Sequence, residues 1–89
     1  QFDALEPFPG VHVNGAFTLG ENIGDLGGLT VAYYAYKNSL NGKKSPTIDS
    51  WTGEQRFFFG WAQVWGRKYR DETLRSRIVT DSHSPSEFA

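Results

Sequence analysis

Gly20-Glu21-Asn22-Ile23-Gly24-Asp25-Leu26-Gly27-Gly28 sets two carboxylates four residues apart among glycines, at the start of a predicted helix. On that helix Glu21 and Asp25 share one face, one turn apart. The face continues through Gly24, Gly28, Ala32 and Ala35, all very small side chains. Such a strip predicts close approach by another helix. Like charges at this spacing repel, so the two acids predict a cation or a basic partner in front of them.

The bounds of this helix are signalled on both sides. Thr18-Leu19-Gly20-Glu21 has the form of a capping box, with Thr18 as N-cap, which gives Glu21 a second, purely local role. A run from Leu19 to Leu40 ends at Asn41-Gly42, a usual C-terminal signal. Ile23, Leu26, Leu29, Tyr33, Tyr36 and Leu40 form a separate apolar face. Gly20, Gly24, Gly27 and Gly28 each cost up to ~1 kcal/mol relative to Ala. That cost is tolerated where backbones must come close, which favours the contact reading over capping alone.

Upstream, Glu6-Pro7-Phe8-Pro9-Gly10 rules out a continuous helix, and Val11-His12-Val13-Asn14-Gly15 reads as a short extended piece closed by an Asn-Gly turn. The segment begins without methionine, as a cut product does, and His12 reads as a surface residue. Downstream, Lys43-Lys44-Ser45-Pro46 is an exposed linker. Thr52-Gly53-Glu54-Gln55 is a second capping box. The helix that follows is expected from Gly53 to Arg70, with Phe57-Phe58-Phe59-Gly60-Trp61 and Val64-Trp65 buried nearly all round. Asp71 is expected to cap a short helix from Glu72 to Arg77, with Ile78-Val79 returning to the core. Arg67, Lys68, Arg70, Arg75 and Arg77 are read as solvated and paired with Asp71 and Glu72. Ser84-Pro85-Ser86-Glu87 signals a last helix start, with Pro85 at its first position and His83 just before it.

Composition narrows the function. A chain of 89 residues is one domain at most, yet it carries three Trp, four Tyr and seven Phe. That is more apolar surface than short helices can cover among themselves, and it predicts a piece of a larger protein or an obligate partner. A net charge of -1 argues against nucleic acid as a partner. No apolar run is long enough for a membrane segment, and no signal peptide is visible. Without cysteine there is no disulfide and no thiolate zinc site, so any metal is held by oxygen or imidazole.

Val13-Asn14-Gly15, Thr18-Leu19-Gly20-Glu21-Asn22-Ile23-Gly24-Asp25, Ala62-Gln63-Val64-Trp65 and Asp81-Ser82-His83-Ser84-Pro85 occur in this order along nearly the whole chain. Together they resemble the C-terminal catalytic region of the neprilysin family of zinc metallopeptidases. The resemblance implies a mainly α fold, with two long helices plus short helices and loops, as a fragment of a larger α-rich zincin-type catalytic domain. Residues 1–89 are then a single segment lacking the H-E-x-x-H helix. The implied cofactor is one catalytic Zn2+, and the implied partners are a peptide substrate and the remainder of the catalytic domain. Glu21 matches the third zinc ligand, Asp25 the acid that supports a zinc-ligating His, and His83 the His that stabilises the oxyanion. Val64 and Trp65 match positions lining the pocket for the substrate residue after the scissile bond. A periplasmic or extracellular location is implied as well.

The chain departs from the family pattern in several places. It has no H-E-x-x-H, Gly24 stands where Ala is usual, and after Phe88 the chain has Ala89 where Arg is usual. Gly66 stands where vertebrate relatives carry Cys, which points to a bacterial protein. Two functions follow: part of a zinc endopeptidase, inactive by itself, or a helical interaction module that keeps the packing without the chemistry.

Overall fold

The computed structural model describes residues 1–89. Three helices carry the fold: α1 (Gly15–Ser39), α2 (Gly53–Trp65) and α3 (Asp71–Thr80). Short 3-10 turns at Phe2–Ala4 and Ser86–Phe88 flank them, so the fold is mainly α, as expected.

Helix α1 starts earlier than the Thr18 box implies. Asn14, extended at φ -84° and ψ 95°, is the N-cap, and its side chain accepts from the Phe17 backbone N–H at 3.0 Å. The Gly15 N–H is taken by Asp3 Oδ1 at 2.8 Å. Asn14-Gly15 is therefore a helix start rather than a turn. Thr18 lies inside the first turns, where its hydroxyl donates back to the Asn14 carbonyl at 3.2 Å. Glu21 is consequently past the capping position, and its carboxylate is free for contacts elsewhere. At the other end Asn41 (φ 48°) and Gly42 (φ 76°) adopt left-handed conformations and stop the helix where the sequence indicates.

The Thr52 box forms as expected: Thr52 Oγ1 accepts from Gln55 N at 3.2 Å, and Gln55 Oε1 accepts from Thr52 N at 2.9 Å. Helix α2, however, ends at Trp65, five residues short of Arg70. Gly66 leaves helical geometry at ψ 62°, and the Arg67 N–H turns back to the Trp65 carbonyl at 2.7 Å. Nor is α2 buried all round, since Phe58, Phe59 and Val64 are 44%, 42% and 58% exposed. Only one side meets α1, through Tyr33 and Tyr36 against Phe57 at ring separations of 5.5 and 5.6 Å. Lys37 and Glu54 close that junction at 2.9 Å. Between the helices, Arg56 holds the 45–51 loop through the Pro46 and Trp51 carbonyls at 2.8 and 2.7 Å.

Helix α3 is longer than expected at both ends. Asp71 is its first residue rather than its cap. Ile78 is buried with Val13, whereas Val79 is 74% exposed. The basic stretch does not pair with Asp71 or Glu72. Arg77 pairs with Asp81 at 3.1 Å, while the Arg67 and Arg75 guanidinium groups stack over Trp65 and Phe8 at 5.1 and 4.0 Å. Pro85 sits one residue outside the last turn, as its cap.

The radius of gyration is 16.3 Å, against about 12 Å for a compact chain of this length. The exposed surface is 6558 Å², where about 5,200 Å² is usual for this mass. Apolar side chains such as Leu26 (72%) and Val31 (69%) remain open on α1. No helix is long and apolar enough to cross a membrane.

Candidate active site

The first turns of α1 and the loop leaving α3 meet at Glu21. Its Oε2 lies 3.2 Å from His83 Nε2, and its Oε1 accepts from the Ser82 hydroxyl at 3.4 Å. Behind His83 stands Asp81, whose Oδ1 takes both the ring Nδ1 and the His83 backbone N–H at 2.9 Å. Arg77 holds the other oxygen of Asp81. The result is an alternating row of Arg77, Asp81, His83 and Glu21.

This row fixes the state of the imidazole. Both ring nitrogens face carboxylate oxygens, which only accept, so the arrangement favours a proton on each. The His83 pKa is accordingly raised, chiefly by its hydrogen bond to Asp81 and then by the charges of Glu21, Asp81 and Asp25. Partial burial opposes the rise. Asp81 is held below the usual carboxylate range, first by the His83 backbone N–H and then by the ring.

Of the residues singled out in the sequence, Glu21, His83 and Trp65 come together; the Trp65 and His83 rings lie 6.2 Å apart. Both line a pocket of about 130 Å³ together with Arg67, Tyr69 and Arg77. Asp25 lies one turn along α1, facing a second hollow of about 340 Å³ shared with Trp61 and the Phe88-Ala89 end. Val64 is not gathered with them: it projects outward and is 58% exposed. Sequence reasoning noticed Asp81 only as a neighbour and missed Asn22, Ser82 and Ser84. The Asp-x-His spacing was the available signal for Asp81. The others lie inside the quoted motifs, but nothing local marked their contacts with one another or with Glu21.

No three metal-ligating side chains converge within these residues. What the chain offers is one carboxylate. Each oxygen of Glu21 has a single donor neighbour, and the side chain is 45% exposed, so lone pairs remain for a metal. The donor type fits a site built from oxygen and imidazole.

All 89 residues, 1–89, match the model of Peptidase family M13. The chain belongs to this family. It is 48% identical to human endothelin-converting enzyme 1 over 83 residues, and equally so to human neprilysin. Each alignment takes in 89% of this chain and 11% of the relative, so the chain spans about a ninth of the length of these relatives. The zinc metalloprotease Zmp1 of Mycobacterium tuberculosis, in complex with an inhibitor, superposes with a TM-score of 0.93 at 54% identity, over 98% of this chain and 14% of that one. Its open state gives 0.91 at 53% identity, over 99% and 15%. M13 is a family of zinc metallopeptidases, and Zmp1 is one of them.

Proposed function

We propose that these residues form the C-terminal part of the catalytic domain of a zinc metalloendopeptidase that hydrolyses peptide bonds. The observation that carries this reading is the doubly held His83, with one nitrogen on Asp81 and the other on Glu21. Glu21 supplies the third zinc ligand, the other ligands coming from the remainder of the catalytic domain. When bound, zinc supplies a Lewis acid and lowers the pKa of a water molecule.

The remaining work falls to this chain's own side chains. Asp25, one turn from Glu21, receives the free N–H of a ligating imidazole and so fixes its tautomer. His83, protonated on both nitrogens, turns its Nε2–H from Glu21 to the oxygen that becomes negative as the scissile carbonyl is attacked. A donor placed in this way is worth on the order of 10²–10³ in kcat. Asp81 holds that ring in place and in charge. Trp65 lines the pocket for the substrate residue after the scissile bond; Val64, exposed beside it, takes no part in that pocket within these residues. A periplasmic or extracellular location accompanies the reading.

The second reading, a non-catalytic helical interaction module, draws on the open aromatic faces of α1 and α2. The pairing of Glu21 with His83, with Asp25 one turn along the same helix, favours the peptidase. In the full-length protein, Glu21→Ala is expected to abolish both bound zinc and peptide hydrolysis. His83→Phe is expected to keep the zinc and lose kcat. Turnover that survives Glu21→Ala with the zinc in place contradicts the proposal.

A further inference from the structure

We propose that Asn22 and Ser84 form a strut that sets where the His83 imidazole stands relative to Glu21, which makes both of them positioning residues. The proposal rests on the peptidase reading given above.

Each end of the strut is one residue from a member of the site. Ser84, next to His83, donates from its hydroxyl to Asn22 Oδ1 at 2.7 Å, and Asn22 is next to Glu21. The Asn22 amide cannot turn over, because its Nδ2 donates to Thr18 Oγ1 at 3.0 Å. Thr18 in turn donates to the Asn14 carbonyl at 3.2 Å. Donors and acceptors therefore run in one order from the loop into the cap of α1. Thr18 is 2% exposed and Ser84 7%, so water has little access to stand in for either group.

The direct contacts between loop and helix are of a different kind. His83 and Glu21 meet with side chains 42% and 45% exposed, where ion pairs are screened and hold geometry poorly. Ser82 reaches Glu21 only at 3.4 Å. On the other side Asp81 is moored to α3 by Arg77. The loop thus has one mooring on α3 and one shielded mooring on α1, with His83 between them. The α1 mooring controls the distance that matters for catalysis. Misplacement by about 1 Å can cost as much as 10²-fold in rate.

The test uses the full-length zinc-loaded enzyme carrying these residues, with Ser84→Ala, Ser84→Thr, Asn22→Leu and the double variant Asn22→Leu/Ser84→Ala. Zinc content, kcat, KM and amide hydrogen exchange of residues 82–84 are measured for each. Ser84→Ala is expected to retain stoichiometric zinc and to keep KM within about threefold, while kcat falls ~10–100-fold and exchange in the loop quickens. Ser84→Thr, which keeps the hydroxyl, is expected to restore both readouts. The double variant is expected to be no worse than the poorer single one. Unchanged kcat and exchange in Ser84→Ala overturn the strut, as do multiplying losses in the double variant. Should Ser84→Ala fail to fold, Asn22→Leu opens the same bond from the helix side and is read against the same outcomes. The exchange readout needs no turnover, so failure of the strut is distinguishable from failure of the peptidase reading.

Discussion

His83 Nε2 lies 3.2 Å from Glu21 Oε2, although α2 and α3 separate the two residues in the chain. The contact brings the acid at the head of α1 against the loop that leaves α3. It also determines what each can do. Glu21 keeps lone pairs for a metal, and His83 keeps a proton on the nitrogen that faces the same space.

The charge on His83 depends on Asp81. Because the hydrogen bond to Asp81 is the leading cause of the raised His83 pKa, Asp81→Asn is expected to lower it. The imidazolium is present below its pKa and is lost as pH rises through it. The variant should therefore lose activity at a lower pH than the parent. In a pH–rate profile of the full-length enzyme, the alkaline limb should move toward acid with little change on the acid side. An alkaline limb that stays in place would show that Asp81 does not set the charge.

Gly53 is a packing requirement at the head of α2. A Cβ there would run into the Tyr36 hydroxyl and the Ser45 side chain. Tyr36 and Ser45 would both have to shift, and overpacking of this kind usually costs about 1–3 kcal/mol. Gly53→Ala should lower the denaturation midpoint of the full-length protein by a corresponding amount.

The Thr52 cap is a smaller contribution. Removing its oxygen in Thr52→Ala frees the Gln55 N–H and breaks the reciprocal box. Loss of an N-cap of this type costs about 0.5–2 kcal/mol. Equilibrium denaturation should show that loss, and Thr52→Ser should recover most of it.

The isolated 89-residue chain is expected to hydrolyse no peptide when zinc is added. On the proposed reading it contributes a single zinc ligand, Glu21, and a catalytic zinc needs three protein ligands. Turnover by the purified chain that persists through repurification would contradict this expectation.

Much of this was legible in the residues themselves. Thr52 and Gln55 announced α2, and Asn41-Gly42 announced the end of α1, because both signals act within a few residues. The start of α1 was harder: Asn14 and Thr18 are both good caps, and the choice between them involves Asp3, which takes the Gly15 N–H. The end of α2 was set by Gly66, hidden inside a stretch whose aromatic and basic residues suit a longer helix. Burial of α2 could not be read from periodicity, because apolar periodicity says which faces seek cover but not what covers them. At the site, Glu21, Asp25 and His83 carried a recognisable pattern. Asn22 and Ser84 stand inside the same motifs, but a polar pair that meets only in three dimensions leaves no local mark of its pairing.

The most direct measurement of the central claim is a crystal structure of the full-length protein recorded with X-rays at the zinc absorption edge. The account predicts an anomalous peak about 2.0–2.2 Å from a Glu21 carboxylate oxygen, with His83 close by and Asp25 on a ligating imidazole. A zinc peak that lies away from Glu21, with its carboxylate bound only to Ser82 and His83, would contradict it.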